Sequence, residues 1–212
     1  MTPDALGAAL DAVAPLVATG RRVIVGIAGP PGAGKSTLAL ALAAAVDEER
    51  GPDAAVAVPM DGFHLANVEL RRLGLADRKG APETFDGAGF VHLLRRLSTG
   101  DELVYAPSYS RVLHESIGGA IPVDPAVRLV VVEGNYLLLD RTPWSSVRPL
   151  LDLALYLDTP DRSRTATLLR RQRARGLDDD AARDWVQRSD EANAILIATT
   201  RTRADVILTR HR

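Results

Sequence analysis

Residues Gly29-Pro30-Pro31-Gly32-Ala33-Gly34-Lys35-Ser36 satisfy the pattern G-x-x-x-x-G-K-[ST] at every fixed position, and their surroundings turn the match into a structural constraint. Before them, Val23-Ile24-Val25-Gly26-Ile27-Ala28 is a short β-rich run that reads as a buried strand. After them, the Leu- and Ala-rich run from Thr37 to Val46 is strongly helix-forming, so the loop opens a helix. Such a loop offers free backbone N–H groups and the positive end of a helix to an anion. Lys35 is placed to reach the β- and γ-phosphates of a nucleotide, and Ser36 Oγ to ligate Mg²⁺. The plain alternative is a glycine-rich turn with a chance lysine. Strand before and helix after argue against it.

At 212 residues the chain predicts one domain, 1–212, with room for a full core. A formal net charge of −1 gives no sign of a polyanion-binding surface, so no nucleic-acid partner is expected. Cysteine is absent, which removes disulfides, thiol catalysis and thiolate metal sites and fits a cytoplasmic protein. Met1-Thr2-Pro3-Asp4 lacks the basic stretch and apolar core of a secretory signal. No apolar run approaches the roughly 18 residues of a membrane span, so no membrane partner is expected.

Thr2-Pro3 reads as a helix start, and Leu6, Leu10, Val13, Leu16 and Val17 then fall at helical spacing towards Gly20. Strands are expected at Val23–Ala28, Ala55–Pro59, Leu129–Val132, Leu153–Leu157 and Asp205–Leu208. Helices are expected at Ser36–Glu49, Gly87–Leu97, Asp161–Arg173 and Asp180–Ile197. This alternation implies an α/β fold, a mainly parallel five-stranded sheet between helical layers. Tyr105–Pro125, rich in Gly and Pro, reads as an irregular excursion, a flap or hairpin beside the site.

In such folds ligands sit beyond the carboxyl ends of the strands. Asp61 follows the strand ending at Pro59 and Met60; it suits a general base or a Mg²⁺ ligand, and equally a plain capping aspartate. Glu133 tips Leu129-Val130-Val131-Val132, where an acid binds Mg²⁺ or its water; a merely solvated strand-end acid is the alternative. Arg162, Arg164, Arg170, Arg171, Arg173 and Arg175 crowd one predicted helix, and Arg170 and Arg173 share a face. With a break at Gly176-Leu177-Asp178, they suggest a helix-turn-helix lid at approximately 162–185 that neutralises phosphate charge and excludes water. A solvated helix face is the alternative for any single arginine. His92 and His211 read as structural or solvated, whereas His64 and His114 lie near the expected substrate region. No histidine belongs to a zinc-ligand pattern.

Taken in order, these segments resemble the P-loop kinase family of uridine kinases, phosphoribulokinases and the bacterial (type I) pantothenate kinases. The resemblance runs from about Arg22 to Leu208. It rests on Gly29 to Thr37, Met60-Asp61-Gly62-Phe63-His64, Arg78-Lys79-Gly80-Ala81-Pro82-Glu83-Thr84-Phe85-Asp86, Pro107-Ser108-Tyr109-Ser110-Arg111 and Val132-Glu133-Gly134-Asn135. It implies a P-loop NTPase fold with a small helical lid. It further implies ATP and Mg²⁺ as cofactors, transfer of the γ-phosphate to a small-molecule hydroxyl, and a homodimer. Asp61 takes the family's catalytic-base position, Ser36 and Glu133 the metal site, and Arg170, then Arg173, the lid arginine beside Lys35. Pro30, Pro31 and Ala33 complete the nucleotide loop. The substrate side implied is His64, Lys79, Tyr109, Arg111, Asn135 and Asn193. The Lys79–Asp86 stretch is closest to the pantothenate kinase branch, but Arg111 stands where that branch has histidine. Nucleoside, pantothenate and sugar acceptors therefore stay open. A nucleotide switch or GTPase is the rival of another class; it normally carries an Asn-Lys-x-Asp motif, and this chain has no Asn-Lys pair.

Overall fold

The computed structural model describes residues 3–209; Thr2 and His211 lie outside them. Helix α1 (Pro3–Val17) leads to strand β1 (Val23–Ala28), the phosphate loop and α2 (Lys35–Arg50). Next come β2 (Ala55–Pro59), a 3₁₀ turn at Met60–Phe63, the short α3 (Asn67–Arg72) and α4 (Gly87–Thr99). A hairpin of β3 (Val104–Ser110) and β4 (Glu115–Val123) precedes β5 (Leu129–Glu133) and β6 (Leu153–Asp158). The chain closes with α5 (Asp161–Ala174), α6 (Asp179–Trp185), α7 (Glu191–Ala198) and β7 (Val206–Thr209).

Five strands form one all-parallel sheet in the order β2-β5-β1-β6-β7. Its side chains alternate between two cores with a period of two, as a pleated strand requires. Val23, Val25 and Ile27 pack with α1 and α2 through Val13, Leu38 and Leu42; Ile24, Val130 and Val132 pack with α4 through Phe90, Leu94 and Leu97. Both faces being covered explains why β1 and β5 are apolar at nearly every position. The expected parallel sheet is present, and β1 and β2 have their expected bounds.

Of the flap or hairpin expected between Tyr105 and Pro125 the hairpin is present, and one helix changes. The excursion at Tyr105–Pro125 is a regular antiparallel hairpin, with its register shift between Ala106 and Ser108, around Pro107, which has no N–H to give the ladder. The single helix expected over Asp180–Ile197 carries a π turn at Val186–Asp190 between α6 and α7. Trp185 precedes that turn, Ser189 and Asp190 lie in it and Asn193 follows it, and all four line one cavity.

Candidate active site

The phosphate loop follows β1 at the carboxyl edge of the sheet and is shaped by glycine. Gly34 caps α2 at φ 99°, and Gly32 sits at φ +78°. A Cβ on Gly32 would stand 2.8 Å from Arg164 O and 2.9 Å from Leu168 Cγ, so α5 can lie against the loop only because that residue is glycine. Lys35, the first residue of α2, is buried and donates from Nζ to Pro30 O (3.1 Å) and Asn135 Oδ1 (2.7 Å). Desolvation lowers its pKa to about 8, against the opposing pull of Glu133 and Asp61.

The two acids come from neighbouring strands. Pro59 of β2 pairs in register with Glu133 of β5, and Asp61 lies just past Pro59 in the 3₁₀ turn. Glu133 is buried, and Ser36 Oγ donates to its Oε1 at 2.8 Å. Burial raises the Glu133 pKa, with the nearby Asp61 charge acting the same way. Two acids that repel each other at one sheet edge, beside a hydroxyl, form a hard-oxygen donor set suited to Mg²⁺. That ion takes few protein ligands and completes its shell with phosphate oxygens and water. The residues present therefore fit the ion. Among the described residues no cluster of three His, Cys, Asp or Glu residues could hold a metal.

A cavity of about 630 Å³ extends from the loop past Asp61 towards the hairpin and α5–α6. His64 is wedged between Phe85 (ring centroids 4.0 Å) and Tyr109 (4.8 Å), with Nδ1 2.9 Å from Asp61 O. Its pKa is lowered, chiefly by desolvation. Lys79 donates from Nζ to Asn67 Oδ1 (2.6 Å) and His114 O (2.7 Å) and lies 5.3 Å from the centroid of the Tyr109 ring. Asn193 is buried; its Nδ2 donates to Gly80 O (3.2 Å), and its Oδ1 lies 2.9 Å from Tyr136 Oη. It shapes the cavity wall with both polar atoms already engaged. The stretch from Lys79 to Asp86 is largely scaffold: Leu65 N–H donates to Thr84 O, and Asp86 caps α4 through Gly89 N–H.

The structure sorts the arginines differently from the sequence. Arg170, exposed, reaches only Thr167 Oγ1 (3.4 Å), and Arg173 pairs with Asp179 (2.6 Å); neither lines the cavity. Arg171 and Arg175, four residues apart on the adjoining stripe, do line it, as does Arg111 from the hairpin. Arg171 is reached by solvent, yet the cavity walls strip part of its hydration and lower its pKa, with Arg111 adding to the effect. Arg164 is fully buried, bonds Pro31 O (3.0 Å) and pairs with Glu191 (3.0 Å), locking α5 to the loop and to α7. The buried stripe Arg164, Leu168, Gln172 marks the inward face of α5, and Leu168 was the apolar signal that could have pointed to Arg171 and Arg175 beside it. The π turn also brings in Asp190, which the sequence did not single out. Burial pushes it up to about 6, and its Oδ2 has no hydrogen-bond partner among the described residues.

Sequence comparison agrees with this geometry. The phosphoribulokinase/uridine kinase family matches residues 24–212. A Schizosaccharomyces pombe protein provisionally named a uridine kinase is 34% identical, over 89% of this chain and 83% of its own. A pantothenate kinase of Bacillus velezensis is 32% identical over 65% of this chain, but that match spans only 46% of the longer enzyme. A solved structure from Silicibacter sp. TM1040, provisionally described as a fructose transport system kinase, is 42% identical. It superposes with a TM-score of 0.81 and covers 88% of this chain and 89% of that one. With the phosphate loop, the paired strand-end acids and a family match across nearly the whole chain, this protein belongs to the phosphoribulokinase/uridine kinase family of P-loop kinases.

Proposed function

We propose that the protein is an ATP-dependent kinase that phosphorylates a hydroxyl group of a small metabolite, of nucleoside, pantothenate or sugar type. The observation that carries this is the convergence of Lys35, Ser36, Asp61 and Glu133 on one cavity at the carboxyl edge of adjacent strands. Lys35 and the amides of the Gly29–Thr37 loop bind the phosphates. Ser36 and Glu133 would hold Mg²⁺, which would supply positive charge to offset that of the nucleotide phosphates. Asp61 accepts the proton of the acceptor hydroxyl as its oxygen bonds to the γ-phosphorus; the bond from that phosphorus to the bridging oxygen breaks, and ADP departs. Arg171, rather than Arg170 or Arg173, offsets the charge of the moving phosphoryl group. Closure of α5–α6 over the cavity limits wasteful transfer to water.

The names of the relatives support all three acceptor types and favour none decisively. A cytoplasmic setting, rich in ATP and Mg²⁺, suits the activity. The test is ADP release from Mg·ATP against a panel of nucleosides, pantothenate, fructose and ribulose 5-phosphate, repeated with GTP. Strong stimulation by one compound supports the kinase reading. Slow release with ATP or GTP, indifferent to every compound, counts against it and favours a nucleotide switch.

A further inference from the structure

The cavity contains more positive charge than phosphate transfer uses. Both lysines of the chain and three arginines line it: Lys35, Lys79, Arg111, Arg171 and Arg175. Among the described residues none of the five forms an ion pair, although Arg164, Arg173, Arg183 and Arg188 of the same helical region all do. Lys35 sits in the loop, and Arg171 shares its surroundings with Asp61 and Glu133, so these two serve the phosphates.

Lys79 and Arg175 lie elsewhere. Arg175 follows Arg164, the residue that touches the loop, by eleven positions, about 16 Å along a helix. Its guanidinium lies 5.7 Å from the Trp185 ring, and its Nη1 donates only to Gln172 Oε1 (3.1 Å). Lys79 stands over Tyr109 beside His114; desolvation lowers its pKa, Glu115 opposes this, and Arg175, which lines the same cavity, adds a smaller lowering. Glu115 also bears on Lys79, but both its carboxylate oxygens are 3.1 Å from the Asn67 N–H. Both cations line one cavity and neither has an ion-pair partner among the described residues, so an anion entering that end can bind both.

We propose that the acceptor carries an anionic group, a carboxylate or a phosphate ester, held between Lys79 and Arg175 at the end of the cavity away from the phosphate loop. This rests on the kinase reading and narrows it. The hydroxyl to be phosphorylated meets Asp61, and the anion sets how deeply the molecule enters. A hydroxy acid or a sugar phosphate fits this arrangement; a neutral nucleoside or free sugar leaves both cations unanswered.

The test uses one skeleton with three head groups: glycerate, glycerol 3-phosphate and glycerol. Each is titrated at millimolar concentration into the protein saturated with a non-hydrolysable Mg·ATP analogue, and the shift in melting temperature is read. A shift with glycerate or glycerol 3-phosphate but not glycerol is expected, falling with added salt; which anion acts distinguishes carboxylate from phosphate. Arg175→Gln, at an exposed position, and Lys79→Met should each weaken that binding at least tenfold. Arg175→Gln is the decisive variant, because Lys79 also ties Asn67 to the hairpin. Equal shifts with glycerol, no shift with either anion, or undiminished anion binding in Arg175→Gln overturns the proposal. Turnover separates the two readings: pantothenate against pantothenol and fructose 6-phosphate against fructose are compared by ADP release. A neutral acceptor preferred over its charged partner leaves the kinase intact and removes the anion site. Failure of every acceptor, with anion binding retained, removes the kinase and leaves the site.

Discussion

Lys35 shows how far a single side chain's behaviour depends on its surroundings. Its ammonium is desolvated to a pKa of about 8, and a bound triphosphate stabilises the charged form. Nucleotide affinity is therefore highest below that pH and falls as pH rises through it, by up to about tenfold per unit until the pKa of the complex is reached. Titration calorimetry across neutral to alkaline pH checks this, and Lys35→Ala should bind weakly with the alkaline decline lost. Asp61→Asn keeps the shape of the 3₁₀ turn but cannot take a proton. Turnover is expected to drop by roughly 10²–10⁴-fold while nucleotide binding persists, and unchanged turnover would remove Asp61 from the mechanism. The motifs made both residues readable in the sequence. Asp190 was not, because nothing local distinguishes an aspartate on a solvated helix from one turned inward by a π turn.

At the scale of elements, α5 is the case where sequence spacing misled. Arg170 and Arg173 share a helix face, but so do Arg171 and Arg175, and only docking of Leu168 against the loop decides which pair faces inward. Arg171→Gln is expected to lower kcat by roughly 10²-fold, on the scale of losing one donor aimed at developing charge. Arg170→Gln should have little effect; steady-state kinetics of the two variants, with the acceptor identified, separates the faces. Arg164 joins α5 to the loop through Pro31 O. Arg164→Leu leaves that buried carbonyl unpaired, and about 1–3 kcal/mol of stability should be lost in urea unfolding. The loss stays near this range, not higher, because Glu191 and Asp161 remain within reach of water.

The described residues form a five-stranded sheet with a core on each face and a separate two-stranded hairpin, and the candidate site lies along one edge of that sheet where the loop, the acids, the hairpin and α5–α7 meet. A ligand that binds only this assembled edge stabilises the entire fold. Mg·ATP at a hundred times its Kd should contribute about 2.7 kcal/mol. For a chain of this size that corresponds to a rise of roughly 5–10 °C in Tm, read by calorimetry with and without nucleotide. The sequence alone determined the alternating strands and helices, since period-two apolar runs and helix-forming stretches are local. It also determined the phosphate loop, whose glycines and lysine act within eight consecutive residues. It brought Asp61 and Glu133 into view because strand tips are where such sheets bind ligands. Only the tertiary structure decided which arginines face the cavity, that Asn193 is held by Tyr136 and Gly80, and that Lys79 and Arg175 line one cavity without an ion-pair partner among the described residues. These depend on helix rotation and on contacts between distant residues, 113 positions apart for Asn193 and Gly80 and 133 for Arg164 and Pro31, and no local pattern in the chain encodes them.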